Sequence, residues 1–189
     1  METKSALAKI SDLSMEPMIP VNLILNGKGL VHKLVDAEPD MEDIVLLQQV
    51  LPNAKLEDFY LDKVPATDGK LMVSILRKDK VDPVLKEFTE LGLYVVSIAF
   101  GPFVLQSVRT LLDRDADDNW ALHMAGHHLE YESGKIVSYQ PESSSEAQVE
   151  IGGERIDEAV VIPFAAAFEF LFQRSDERST EVPAIKSAR

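Results

Sequence analysis

Three histidines within one short stretch are the residues of this chain best suited to chemistry. They are His123, His127 and His128, and acidic residues lie on both sides of them. Neutral imidazoles and carboxylates are common ligands of zinc and other transition metals. On a helix or on one strand, His123 and His127 would share a face and His128 would point away. No His-Glu-x-x-His arrangement exists and Gly126 weakens a helix, so histidines of a partly solvated hairpin are the competing interpretation.

Two further motifs resemble ligand sites but lack an essential element. Gly27-Lys28-Gly29 has the glycines of a phosphate-binding loop, but a strand follows it rather than a helix. A hairpin turn is therefore the favoured interpretation. The aspartates between Asp113 and Asp118 resemble a calcium loop, but the glycine and the glutamate that an EF-hand requires are missing from their positions. We assign no catalytic, cofactor-binding or metal-binding residue and no cofactor, and keep the three histidines as the metal-ligand candidates.

The composition excludes several classes of function. Of 189 residues, 32 are Asp or Glu and 19 are Lys or Arg, which gives a net charge of −13. A surface of this sign repels nucleic acids and anionic membranes. The chain has no cysteine, so disulfides, thiolate catalysis and cysteine-ligated metal sites are excluded. No signal-peptide run follows Met1 and no apolar stretch is long enough to span a membrane, so we expect a cytoplasmic protein.

The hydrophobic pattern between residues 30 and 100 predicts the order β-α-β-β-α-β. Alternating apolar residues indicate the strands, and apolar residues three and four positions apart indicate the helices. The predicted strands are residues 30–35, 59–64, 71–76 and 94–100. The helices begin near Asp40 and at Asp82-Pro83. The strand at residues 71–76 is apolar on both faces, so we expect it to be the central strand of the sheet. Two strand-helix-strand units in tandem predict a ferredoxin-like unit, a four-stranded sheet backed by two amphipathic helices.

Hairpins and helices are predicted on both sides of this unit. Three hairpins are predicted. The first joins residues 21–25 to the strand from Leu30, the second joins 120–131 to 135–139, and the third joins 148–151 to 154–156. Gly101-Pro102 opens one helix, and Pro163–Phe172 is a strongly apolar helix. The expected domains are a flexible lead-in (1–20), the ferredoxin-like subdomain with its preceding hairpin strand (21–100), a second subdomain (101–172) and a disordered tail (173–189).

One segment carries a family resemblance. It is residues 70–112, KLMVSILRKDKVDPVLKEFTELGLYVVSIAFGPFVLQSVRTLL, in which an apolar strand leads into a helix that ends at Gly92-Leu93 and a second strand runs into a further helix. This order resembles the actin-like proteins of type IV pilus assembly (PilM) and the cytoplasmic part of type II secretion protein L. Two other stretches are similar to parts of such chains, PVNLILNGKGLVHKLV and VEIGGERIDEAVVIPFAAAFEFLF. The resemblance covers residues 20–172.

The resemblance implies an α+β chain in which a ferredoxin-like subdomain is joined to a partial actin-like, RNase H-like α/β domain. It also implies a cytoplasmic platform at the inner face of the inner membrane, which binds membrane proteins and the assembly ATPase. Binding of a partner segment at a strand edge or in a groove would suit such a platform. The nucleotide site of the family uses an Asp-x-Gly phosphate turn that this chain lacks, so we assign no ATP-binding residue.

Three hypotheses of function follow. The first is a non-catalytic scaffold of a type II secretion or type IV pilus-like machine, which contacts other protein subunits and no nucleic acid. The second is a metal-dependent or small-ligand-binding enzyme in which His123, His127 and an acid converge. The third is a ligand-sensing ferredoxin-like regulator that forms a homodimer through its sheet.

Overall fold

The structure is a computed structural model that describes residues 19–67, 69–111, 119–124, 126–142 and 149–172, which form a mixed α/β fold. The strands are β1 (Ile19–Leu25), β2 (Val31–Asp36), β3 (Phe59–Pro65), β4 (Lys70–Arg77), β5 (Leu93–Phe100), β6 (Trp120–Met124), β7 (His127–Glu132), β8 (Lys135–Pro141), β9 (Val149–Ile151) and β10 (Glu154–Ile156). The α-helices are α1 (Asp43–Val50), α2 (Lys78–Glu90) and α3 (Glu158–Phe172), and 3₁₀ helices cover Leu56–Asp58 and Gly101–Leu111.

β4 is the central strand of an antiparallel sheet with the order β2–β4–β3. Successive side chains of a strand point to opposite faces. Leu71, Val73 and Ile75 accordingly pack against α1, whereas Met72 and Leu76 each join a separate core on the other side. The predicted central position of this strand is confirmed, because it pairs with β2 on one side and with β3 on the other.

The predicted four-stranded ferredoxin-like sheet is wrong in its fourth strand. β2, β4 and β3 have the order that two interleaved strand-helix-strand units give, but β5 does not join them. β5 instead pairs in parallel with β1, from Ile19 opposite Leu93 to Leu25 opposite Phe100. The same pairing overturns the predicted hairpin between β1 and β2. Alternation identifies a strand and its buried face, but it does not identify the neighbouring strand.

The later hairpins were predicted more accurately. β7 pairs with β8, and β9 pairs with β10 across Gly152-Gly153, as expected. The stretch 120–131 is not one strand but two, because the chain reverses at Gly126 and β6 pairs antiparallel with β7. A positive φ of +83° at Gly126 suits this turn. The predicted lead-in (1–20) lies outside the described residues except for Ile19 and Pro20, which begin β1. Residues 112–118, which include the aspartates compared with a calcium loop, residues 143–148 and the predicted tail (173–189) also lie outside the described residues.

The helices differ from the prediction mainly at their beginnings. α2 begins at Lys78 rather than at Asp82-Pro83, and α3 begins at Glu158 rather than at Pro163, so each proline lies inside its helix. The helix predicted from Gly101 is present as a 3₁₀ helix. None of the helices in the described ranges combines the length and the hydropathy that crossing a bilayer requires.

The largest core joins the first sheet to the second half of the described chain. Met72 and Val64 of the first sheet pack in it with Phe103 of the 3₁₀ helix. Strand β8 and helix α3 close this core with Ile136 and Ala165, which are fully buried. A backbone hydrogen bond reinforces the contact, since the Thr67 N–H donates to the Ile136 carbonyl at 2.9 Å.

We predict that replacing Leu47 by Ala lowers the free energy of unfolding by about 2–5 kcal/mol. Leu47 is fully buried between α1 and the sheet, so the substitution leaves a cavity. Val45→Ala is the matched control on the same helix, because Val45 is 42% exposed, and it should change stability by less than about 0.5 kcal/mol. Urea denaturation measures both. Equal losses would show that α1 does not present this face to the sheet.

Candidate functional site

Six side chains from separate elements meet where β2 approaches β8. We call them the junction cluster: Asn26, His32, Ser74, Phe103, His127 and Tyr139. Asn26 follows β1, whereas the others lie on β2, β4, the 3₁₀ helix, β7 and β8, in that order. The hydrogen bonds and ring contacts of this cluster therefore connect the first sheet to the second.

His127 is held at both ring nitrogens. Its Nε2 lies 2.9 Å from Asn26 Oδ1, and its Nδ1 lies 3.0 Å from the Tyr139 hydroxyl. Because an amide oxygen only accepts, Nε2–H is the donor to Asn26, and Nδ1 then accepts from Tyr139. A neutral imidazole with its proton on Nε2 therefore satisfies both contacts.

His32 is enclosed by aromatic rings and by backbone. Its Nδ1 lies 2.8 Å from Ser74 Oγ, and its ring makes edge contacts with Phe103 and Tyr139 at centroid distances of 4.8 and 5.0 Å. Gly101 closes one edge of the ring, since a Cβ atom at this position would lie 2.6 Å from Nε2 and from Cε1 of His32. The ring therefore occupies a space that a glycine leaves open.

The surroundings of the cluster keep both imidazoles uncharged. Burial, and to a smaller extent the electrostatic interaction with His127, together lower the pKa of His32 to about 4. Burial also lowers the pKa of His127 and raises the pKa of the Tyr139 hydroxyl. Ser74 and His32 have the contact of a nucleophile with its base, but a general base works best when its pKa is near the ambient pH. The arrangement suits structural hydrogen bonding better than proton transfer.

The other two histidines form a pair on the outward face of the second sheet. His123 of β6 and His128 of β7 lie opposite each other, and their rings stack at a centroid distance of 4.1 Å. His123 Nδ1 lies 3.0 Å from Glu142 Oε2, and His128 Nε2 lies 3.6 Å from Glu130 Oε1. The pair is therefore bordered by carboxylates on both sides.

The structure separates the two histidines that the sequence grouped. The expectation that His123 and His127 share a face is wrong, because the turn at Gly126 places them on different strands. His123 instead meets His128, and His127 points to the buried side. Within the described ranges, no three His, Asp or Glu side chains are grouped so that they could hold a metal ion.

Most of the junction cluster was missed by sequence reasoning. The one available signal was His32, which alternates with the apolar Leu30 and Leu34 along its strand. A histidine at such a position points inward and needs a buried partner. Its partners could not be deduced, because Ser74 and Tyr139 reach it only through the strand order and the contact between sheets.

The Gly27-Lys28-Gly29 segment forms the connection between β1 and β2. Gly27 and Gly29 have positive φ angles of +114° and +97°, and the Leu30 N–H lies 3.4 Å from the Gly27 carbonyl. The expected turn is present, although the strands that it joins do not pair with each other. A strand follows the glycines, so the helix N-terminus of a phosphate-binding loop is absent here.

The combination of the β2–β4–β3 sheet, the parallel β1–β5 pair and the later antiparallel sheet defines a fold class. It is the fold of a chain of the PilM–PilN type IV pilus biogenesis complex, and this confirms, for the fold, the resemblance predicted from residues 70–112.

Two solved structures show the similarity. A chain of the PilM–PilN type IV pilus biogenesis complex is 18% identical, with a TM-score of 0.55 over 90% of this chain and 57% of that chain. The cytoplasmic domain of EpsL, an inner membrane component of the type II secretion system of Vibrio cholerae, is 18% identical, with a TM-score of 0.44 over 73% of this chain and 55% of that chain. This chain thus spans little more than half the length of either. No family model and no curated protein matches the sequence.

We predict that Gly101→Ala lowers the free energy of unfolding by about 2–4 kcal/mol. The new methyl group would collide with the His32 ring, and φ at this position is +67°. Gly92→Ala is the matched control, because Gly92 has a φ of +72° with no atom near the added Cβ, and it should cost only about 1 kcal/mol. Denaturant unfolding of both variants separates the cost of the collision with His32 from the cost of placing alanine at a positive φ. Equal costs would contradict the enclosed position of His32.

We also predict that the protein loses stability as the pH falls from the ordinary histidine value of 6.5 towards about 4. In this window the unfolded chain binds a proton that folded His32 does not, so unfolding becomes more favourable. The loss from His32 is at most about 3 kcal/mol. Denaturation at a series of pH values should show a shallower slope for His32→Asn. Ser74→Ala should leave the pH dependence of stability unchanged, because the His32 ring stays buried in this variant. An unchanged slope in His32→Asn would contradict this assignment.

Proposed function

We propose that this protein is a non-catalytic scaffold of a type II secretion or type IV pilus-like machine and that it works at the cytoplasmic face of the inner membrane. The observation that carries the proposal is the fold shared with a chain of a complex between PilM and PilN. In that complex the fold belongs to an assembly of proteins. We infer that the present chain likewise acts by binding other protein subunits.

The chemistry of the junction cluster supports a scaffold rather than an enzyme. His32 and His127 have lowered pKa values and hydrogen bond to Ser74, Asn26 and Tyr139 within the protein. A catalytic acid or base must exchange a proton near neutral pH. Groups that burial keeps neutral, and that internal bonds hold in place, contribute to the stability of the contact between sheets.

The charge of the chain indicates the chemistry of its partner. A net charge of −13 attracts basic segments and steers them at low ionic strength. Cytoplasmic segments next to membrane spans carry an excess of Lys and Arg. We therefore propose that the partner contributes a basic cytoplasmic segment of an inner-membrane protein, bound as an added strand or in a groove.

We predict that a labelled peptide with the cytoplasmic sequence of a PilN-type protein from the same genome binds this chain with a Kd in the micromolar range, as measured by fluorescence anisotropy. Raising the salt should weaken the binding, because the attraction between exposed charges is screened. A scrambled peptide of the same charge is the control and should bind at least about ten-fold more weakly. Equal binding of the two peptides, or none, would contradict the proposal.

The same preparation tests the non-catalytic part of the proposal. With magnesium and ATP we expect no rise in Tm and no release of phosphate, because the chain lacks the Asp-x-Gly turn of the actin-like nucleotide site. A ligand that binds only the folded state raises the melting temperature. A clear rise in Tm, or turnover above the buffer control, would overturn this part.

A further inference from the structure

The sequence contains a single Asn-Gly pair, Asn26-Gly27, which lies in the connection between β1 and β2. An asparagine deamidates most readily before glycine, because the backbone nitrogen of glycine is not shielded by a Cβ atom. In that reaction this nitrogen attacks the side-chain carbonyl carbon of the asparagine. The other asparagines, Asn22, Asn53 and Asn119, precede leucine, alanine and tryptophan. The sequence thus singles out Asn26 for this chemistry.

The nitrogen that would attack, the backbone nitrogen of Gly27, is accessible in the structure. Gly27 is exposed, and a Cβ atom placed on it would meet no atom within 4 Å. Among the described residues, no acceptor is hydrogen bonded to the Gly27 N–H. This nitrogen can therefore lose its proton to hydroxide without first breaking a bond within the protein.

The carbonyl that would be attacked already has a hydrogen-bond donor on its oxygen. His127 Nε2–H donates to Asn26 Oδ1 at 2.9 Å. Negative charge develops on this oxygen when a nitrogen adds to the carbonyl carbon, and a fixed donor at about 2.7–3.1 Å stabilises such a charge. The Tyr139 hydroxyl donates to His127 Nδ1 at 3.0 Å, which keeps the imidazole proton on Nε2. The donor therefore points at the atom that becomes charged.

We propose that Asn26 is a deamidation site and that the hydrogen bond from His127 assists the reaction. The Gly27 nitrogen gives up its proton and bonds to Cγ of Asn26, while the amide nitrogen leaves with a proton as ammonia and a succinimide ring closes. Water then opens the ring at either carbonyl and leaves an aspartate or an isoaspartate at position 26. Ammonia is exchanged for water, so no oxidant or cofactor is required.

The product places a carboxylate in the junction cluster. Either form adds one negative charge to the net charge of −13. An aspartate beside Nε2 favours the protonated form of His127, because an opposite charge nearby stabilises the imidazolium. An isoaspartate instead adds a methylene group to the backbone, and its shorter side chain draws the carboxylate away from the ring. Conversion of Asn26 therefore changes the contact between the two sheets as the protein ages.

This site is independent of the proposed scaffold function. It depends on Asn26, Gly27 and His127 alone, and no partner protein takes part in the reaction. Binding of a membrane-protein segment could fail while Asn26 is converted, or the reverse, so the two proposals can be refuted separately.

Peptide mapping by mass spectrometry tests the site in the full chain, kept folded in mildly alkaline buffer. We expect the peptide with Asn26 to accumulate aspartate and isoaspartate, while Asn53 keeps its amide. Asn53 is the internal control, because it is also exposed and has a φ of +68° but precedes alanine. Gly27→Ala should slow the conversion strongly, because its methyl group shields the attacking nitrogen.

Two variants of His127 test the assistance by its hydrogen bond. His127→Leu removes the donor and should slow the conversion of Asn26 by about ten-fold or more. His127→Gln is the matched control, because a glutamine amide can donate from a similar position, and it should keep most of the rate. Circular dichroism confirms that both variants are folded. A variant that merely loosens the loop would convert Asn26 faster, so the direction of the change separates the two effects.

Tyr139→Phe is a second test that does not depend on the folding of His127→Leu. It frees His127 Nδ1 to carry the proton, in which case Nε2 no longer donates, so the conversion of Asn26 should again be slower. An Asn26 that keeps its amide as long as Asn53 does would overturn the site. Folded His127→Leu and Tyr139→Phe chains that convert Asn26 as fast as the unaltered chain, or faster, would overturn the assistance by His127.

Discussion

Both faces of β4 are buried, and each of the three hydrophobic cores is built in part on this strand. Helix α1 covers the face with Leu71, Val73 and Ile75, while Met72 and Leu76 enter two other cores. A strand without a solvated face needs covering elements on both sides, and these are what the chain before and after it supplies. β4 is thus the element through which all three hydrophobic clusters are connected.

This constraint also explains the junction cluster. Ser74 is a polar side chain on the buried β4, with 1% of its surface exposed, and a buried hydroxyl without a partner is costly. His32 on the neighbouring strand lies within hydrogen-bonding distance of it, but only by entering the same dry space, which lowers the pKa of the imidazole. The glycine at position 101 then becomes necessary, because a larger residue would displace the ring. Ser74, His32 and Gly101 therefore fit one another although they lie far apart in the sequence.

Features that depend on neighbouring residues in the sequence were predicted correctly, whereas features that depend on distant residues were not. Alternation and helical spacing are local, so the strands between residues 30 and 100 were found, and so were the turns at Gly134 and at Gly152-Gly153. The choice of partner strand is not local. β5 has the same alternation whether it lies beside β2 or β1, and the ferredoxin-like sheet failed at this point. The predicted grouping of His123 with His127 was wrong for a related reason, since the turn at Gly126 determines which histidines share a face.

The polar side chains of the junction cluster are thus hydrogen bonded to one another within the fold, beside the cores that β4 connects. Hydrogen exchange of the native protein tests the central position of β4 most directly. We expect β4 amides to exchange only through global unfolding, while amides of the short β9–β10 hairpin exchange far faster through local opening. Exchange of β4 amides as fast as those of that hairpin would show that β4 is not the strand on which the fold depends.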